Sequence, residues 1–275
     1  MLSYQHRYHA GGFADVHKHL FLVSLIVALK RKEAGFAVID AYAGEGRYDL
    51  ASAEAQKIGE AAAGIQRLYG LEVPGAAGTY LACVRAENGD GPLRLYPGSP
   101  AIAFRLTRTQ DELILIEKHP QAVARLRRAL GGSPRIHIHD RDALEGLTGL
   151  VPPRLRRGLT LIDPSYEDKD EYRRVAEAVV KAHHRWPQGI YLVWYPLLPA
   201  GRHHELIETA ACLPKTLRSE WRLRPQGEAP GLYGSGLLIV NAPWGFGEEM
   251  RALTEWIDWL GFGWGPFLLE SASGD

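Results

Sequence analysis

Four short strand-like runs in this chain end on a carboxylate: FAVID (36–40), ELILIE (112–117), RIHIHD (135–140) and LTLID (159–163). Each is too short for a helix. Most are apolar without alternation, the pattern of strands covered on both faces of a parallel sheet. Helical periods lie between them, over 121–130, from DALEGL at 142, and in DEYRRVAEAVVKAHHRW at 170–186. GIYLVWYP (189–196) adds a fifth strand, HHELIETAACL (203–213) a helix, and GLLIVNAPW (236–244) a late strand paired near KTLRSEWRL (215–223). Strands alternating with helices specify a mainly parallel α/β sheet.

An amphipathic helix over 15–32 precedes the first strand. Val16, Leu20, Val23 and Val27 form its stripe, Lys30 to Lys32 its basic end, and Gly35 its C-cap. One spacing is irregular. Asp40 and Glu117 are 77 residues apart, whereas a βαβ unit needs about 30. The excess, at about 51–97, is Ala-rich and helical, with turn signals at Pro74-Gly75 and Asn88-Gly89. It reads as a small helical subdomain inserted into one domain spanning 1–275, with a frayed ESASGD tail.

The charge balance narrows the function. Lys+Arg and Asp+Glu both number 32, so no global field draws the chain to polyanions, and any such site is local. Two cysteines, Cys83 and Cys212, are too few for a disulfide framework or a Cys-rich metal site. The polar start and the short run at 20–29 offer neither a signal peptide nor a membrane span. A cytoplasmic, metal-free monomer away from membranes is the expectation.

In an open parallel sheet, ligands sit beyond the carboxyl ends of the strands. Asp40, Glu117, Asp140 with Asp142, and Asp163 all fall there. A single Asp at a strand end means little, because Asp favours turns; four around one rim point to a polar ligand with several donors. DAYAGEG places Gly44 and Gly46 just after the first strand. Alone, the two glycines read as a tight strand-to-helix connection. The third glycine of a dinucleotide fingerprint is replaced by Asp49, a poor neighbour for phosphate. A cofactor without phosphates fits better, and S-adenosylmethionine is the candidate. Glu117 would accept from its ribose hydroxyls, although taken alone a solvated loop carboxylate reads equally well.

LTLIDPSYE carries the sharper signal. Pro164 ends strand pairing behind Asp163, its carbonyl is a second acceptor, and Tyr166 offers a flat face. Two acceptors and an aromatic suit an exocyclic amine such as adenine N6. The plain alternative is a strand-ending turn with a packing tyrosine. The N-terminal stretch SYQHRYHAGGFADVHKHL interleaves Tyr4, His6, Arg7, Tyr8, His9, His17, Lys18 and His19, a mixture that suits bases and phosphates. Residues 1–19 are read as a segment covering substrate and cofactor. Basic clusters at Arg125, Arg127 and Arg128, at Arg154, Arg156 and Arg157, and at 181–185 read as solvated helix faces or ends, of which one or two extend an RNA path.

SYQHRYHAGGFADVHKH, DAYAGEGRY, YPGSP, ILIEKHP, GLTLIDPSYE, GIYLVWYP and GLLIVNAPW occur here in the order and spacing of the 23S rRNA adenine-N6 methyltransferases, which the chain resembles over nearly its whole length. The resemblance implies a Rossmann-like fold with an inserted helical subdomain, S-adenosylmethionine as methyl donor, and one adenine of 23S rRNA, adenine 2030, as acceptor. It implies that Lys18, His19, Ser99, Glu117, Asp142 and Asp163 line the cofactor and reaction site beside Gly44. Asp163 would be catalytic, and Tyr4, with His6, Pro164 and Tyr166, would meet the target base. Three positions depart from the family pattern. Tyr42 replaces a histidine near the cofactor, Ala143 replaces a glycine, and Ser165 replaces the second proline of Asp-Pro-Pro-Tyr. The competing readings are the same chemistry on DNA adenine or protein glutamine, and a non-catalytic RNA-binding assembly protein on the same scaffold.

Overall fold

The structure is a computed structural model that describes residues 5–265 and 267–271. A 3-10 turn at His6–Tyr8 leads into helix α1 (Phe13–Lys30) and strand β1 (Ala37–Asp40). Strand β2 (Arg47–Asp49) pairs antiparallel with β3 (Leu95–Pro97), and between them lie α2 (Ala53–Ile58), two 3-10 turns and α3 (Gly75–Asn88). Then follow α4 (Ser99–Leu106), β4 (Glu112–Glu117), α5 (Pro120–Leu130), β5 (Ile136–Asp140) and α6 (Ala143–Leu150). The remaining elements are β6 (Gly158–Ile162), α7 (Glu171–Arg185), β7 (Ile190–Leu197), α8 (His203–Ala210), β8 (Leu217–Arg222), β9 (Gly234–Val240), α9 (Phe246–Trp259) and β10 (Leu268–Ser271).

Eight strands form one sheet in the order β10-β8-β9-β7-β6-β1-β4-β5. β5, β4, β1, β6 and β7 are parallel, and β9, β8 and β10 join through antiparallel pairing. This is a Rossmann-like arrangement. From β1 the chain builds outward through β4 and β5, then crosses back to β6 on the other side, so the switch point lies between β1 and β6.

Alternate residues of each strand feed two cores. Val38, Leu113, Leu115 and Leu161 face the core under α1, α3, α4 and α9. Ile39, Ile114, Ile116 and Ile162 face the core under α6, α7 and α8. Both faces are covered, which is why the central strands read as continuous apolar runs. The helical segment between β2 and β3 does not bury a core of its own. Ile65, Leu68, Tyr80 and Val84 join the cluster that holds Leu20 and Val23 of α1.

Several expectations change. α1 stops at Lys30 with a right-handed C-cap at Arg31, φ −60°. Gly35 is not that cap; a Cβ there would lie 2.8 Å from the Gln110 carbonyl oxygen, so close backbone approach calls for glycine. Glu270 and Ser271, in the expected frayed tail, pair with Arg218 and Leu217 of β8. Residues 13–19 are not a covering segment but the first turns of α1. The pairing of 215–223 with the late strand is present as β8–β9. Among the described residues, no helix is long and apolar enough to cross a membrane.

Candidate active site

A cavity of about 280 Å³ opens above the switch point, at the carboxyl ends of β1, β4 and β6. Lys18, His19, Tyr42, Gly44, Ser99, Glu117, Asp142, Ala143 and Asp163, all expected at the cofactor from sequence, line it, whereas Gly46 does not. His6 of the N-terminal segment also lines it. Asp140 is exposed and does not line the cavity, and Tyr4 lies outside the described residues.

Glu117 is held in place by backbone. Its Oε2 accepts from the Gly44 N–H at 2.8 Å, and its Oε1 from the Lys118 and His119 N–H groups at 2.9 and 2.7 Å. Three fixed amides orient the carboxylate: Oε1 accepts two of them, while Oε2 accepts one and keeps a further acceptor direction. Gly44 sits at φ +62°, where a Cβ would come within 2.4 Å of the Tyr48 hydroxyl. The turn therefore demands glycine twice over, by backbone angle and by space. Asp142 is the N-cap of α6, its Oδ1 accepting from the Leu144 and Glu145 N–H groups at 3.1 and 3.2 Å. Burial pushes its carboxyl up, but the Glu145 amide and the Lys118 ammonium outweigh this and hold it below the usual range.

α1 supplies the other wall. The Lys18 ammonium lies between two carboxylates, 2.8 Å from Asp15 Oδ1 and in direct contact with Asp163 Oδ2. Its side chain is 5 % exposed, and that of Asp15 2 %. Burial would strip its proton, yet the two carboxylates push its pKa above the ordinary lysine value. Asp15 also accepts from the Gly11 N–H and pairs with His6 Nε2, both at 2.9 Å. Burial raises its carboxyl and the facing cations reverse the shift, so it titrates well below the usual range. His19 bonds the Tyr96 hydroxyl at 2.6 Å, and burial drives it down to about 3. Asp40, at the end of β1, is pushed up to about 7, chiefly by burial, and its Oδ2 makes no hydrogen bond among the described residues.

The loop after β6 differs from the expectation. Ser165 lines the cavity, whereas Pro164 is buried and does not. Tyr166 is 7 % exposed and presents no face to a base. Its ring stacks on Tyr172 at 4.2 Å, and its hydroxyl donates to the Trp194 carbonyl oxygen at 2.8 Å. A φ of +53° turns it inward, and Glu171 Oε2 accepts its N–H at 2.7 Å. A buried phenol needs a partner, and the core beneath α7 provides one. His17 also departs from its expected role. It points away from the cavity, between Ser219 and Ser235 and stacked on Trp221 at 4.1 Å.

Sequence reasoning missed Asp15, Tyr48, Glu171 and Arg174, whereas Arg7, singled out with the N-terminal segment, does line the cavity. Asp15 carried a readable signal, since its i,i+3 spacing from Lys18 puts both on one helix face. The others reach the cavity only through tertiary packing. Among the described residues, no group of three or more His, Cys, Asp or Glu side chains is placed to hold a metal ion.

Comparison with known proteins agrees over most of the chain. A family model described as ribosomal RNA large subunit methyltransferase D, RlmJ, matches residues 33–260. Two curated proteins, each named ribosomal RNA large subunit methyltransferase J, are similar. The one from Escherichia coli (strain K12) is 37% identical over 260 residues, 94% of this chain and 93% of its own. The one from Haemophilus influenzae is 36% identical over 261 residues, with the same coverage. A crystal structure of a protein from Legionella pneumophila superposes with a TM-score of 0.88 at 31% identity, covering 96% of this chain and 98% of that one.

Proposed function

The chain belongs to the RlmJ family of ribosomal RNA large subunit methyltransferases, and from that premise we propose that it transfers a methyl group from S-adenosylmethionine to the N6 amine of one adenine in 23S rRNA. The observation that carries this reading is Asp163 at the switch point, sharing one cavity with Gly44, Glu117 and Asp142.

The residues present fit the cofactor. Glu117, oriented by three amides, suits a ribose diol, and the Gly44 turn admits close approach of an amino acid end. S-adenosylmethionine supplies a methyl group already activated on a sulfonium. Asp163 accepts an N–H of the target amine, drawing the nitrogen lone pair out of conjugation with the ring, and it receives the proton that the methylated amine releases. Lys18, fixed by Asp15, holds the Asp163 carboxylate in position for both tasks. Ser165 borders the same space and supplies a hydroxyl where the family pattern has a proline ring.

The test uses the purified chain, labelled S-adenosylmethionine and rRNA from cells lacking this gene, beside genomic DNA and protein as rival acceptors. Mass spectrometry of digested product locates the methyl group. Label appearing only in DNA or protein, or on another position of the base, overturns the assignment. Asp163→Ala should abolish transfer while largely sparing cofactor affinity, and a variant with near wild-type kcat removes Asp163 from the catalytic role.

A further inference from the structure

Lys+Arg and Asp+Glu are equal in number, so attraction to RNA has to come from a local excess of cations. Three basic clusters stood out in the sequence. Arg154 pairs with Glu112, and Arg157 caps the Leu29 and Ala34 carbonyls, all at the amino end of the sheet. The 181–185 cluster closes α7, which returns to that same end. The third cluster, on α5, adjoins the cavity.

Beside the cavity lies a second, open depression lined by Glu45, Arg47, Arg125, Arg128 and Ala129, and Glu45 borders both. Arg125 and Arg128 are three residues apart on one face of α5, and Arg47 reaches the groove from β2. Glu45 Oε1 is shared by Arg7 at 2.5 Å and Arg125 at 2.9 Å, so one carboxylate answers two guanidiniums. Glu87 is likewise shared by Arg47 at 2.7 Å and Arg105 at 3.2 Å. Arg128 is exposed and its Nε donates to the Ala124 carbonyl oxygen, which leaves its charge to solvent. Four guanidiniums (Arg7, Arg47, Arg105, Arg125) share three carboxylates (Glu45, Glu54, Glu87), and Arg128 adds a fifth guanidinium beside them.

We propose that the groove formed by Arg47, Arg125 and Arg128 binds backbone phosphates of the substrate RNA, next to the mouth through which the target base enters. The inference rests on the reading that rRNA is the substrate. Guanidinium forks match phosphate oxygens in geometry as well as charge. Arg7 ties the groove to the N-terminal segment beside the cavity, so RNA seated there lies within reach of both.

The test is fluorescence anisotropy with a labelled 23S rRNA fragment carrying the methylated site, across a series of salt concentrations. Each lost phosphate contact lowers the slope of log affinity against log salt by about 0.7 to 0.9. Arg125→Gln/Arg128→Gln should therefore lower it by roughly 1.4 to 1.8, with a smaller change in S-adenosylmethionine affinity by calorimetry. Lys181→Gln, at the far end of α7, should leave the slope unchanged. An unchanged slope in the double variant overturns the groove, as does an equal loss of RNA and cofactor affinity, which marks a structural role. If the wild-type chain itself neither binds nor methylates rRNA, the functional reading fails and the groove falls with it.

Discussion

At the scale of single residues, buried charge ties the candidate site together. Lys18 satisfies two carboxylates at once, so Lys18→Met should leave Asp15 and Asp163 without their shared cation. Breaking a buried pair from one side costs about 3–5 kcal/mol, and urea denaturation should show a loss of that order. Asp15→Asn/Lys18→Met should lose less than the two single variants together, because the partners are coupled. A loss below about 1 kcal/mol for Lys18→Met would mean that solvent screens the cluster. Asp40 yields a pH prediction. Burial raises its folded pKa to about 7, above the unfolded value of about 3.9. Between those values the folded state keeps a proton that the unfolded state has released, so stability falls as pH rises through the window and levels off above it. The buried neutral histidines His17, His19 and His203 have lowered pKa values and pull the opposite way. The difference between wild type and Asp40→Asn isolates the carboxyl. Over pH 5 to 6.5 the wild type should lose up to roughly 1.4 kcal/mol per pH unit relative to the variant, and parallel curves would refute the buried-proton account.

At the scale of elements, the turn after β1 is where backbone geometry and the proposed cofactor site coincide. Gly44 and Gly59 both have positive φ, +62° and +71°. A Cβ at Gly44 meets the Tyr48 hydroxyl, whereas nothing lies within 4 Å of one at Gly59. Gly59→Ala should therefore cost only the left-handed backbone penalty, about 1 kcal/mol, with cofactor affinity intact. Gly44→Ala must also displace Tyr48 and disturb the amide that orients Glu117. Its S-adenosylmethionine affinity by calorimetry should fall about tenfold, the effect of roughly 1.4 kcal/mol. Equal behaviour of the two variants would detach the turn from the cofactor site.

At the scale of the whole molecule, one core joins the helical segment between β2 and β3 to the sheet. Tyr80, Leu81 and Val84 of α3 share a cluster with α1 and with Leu113 and Leu115 of β4. Contacts of that continuity make unfolding cooperative. Scanning calorimetry should give a single transition, and a separate early transition would show that residues 51–97 fold as an independent unit.

The sequence by itself determined the parallel strands and the β8–β9 pair, their order along the chain, and the carboxylates that end β1, β4, β5 and β6. Apolar runs, helical periods and turn residues are local signals, and a parallel sheet converts strand ends into one rim. For the same reason Glu117, Asp142, Asp163 and the Gly44 turn were legible. The short β2–β3 ribbon, α4, α9 and β10 were not, because their stability comes from the surfaces they cover. Tertiary structure alone decided which polar groups would meet. It set Lys18 between Asp15 and Asp163, turned Tyr166 inward onto Tyr172 and Trp194, and sent His17 into the core while His19 faced the cavity. Neighbours on one helix point about 100° apart, and only the elements packed around α1 determine what each direction meets.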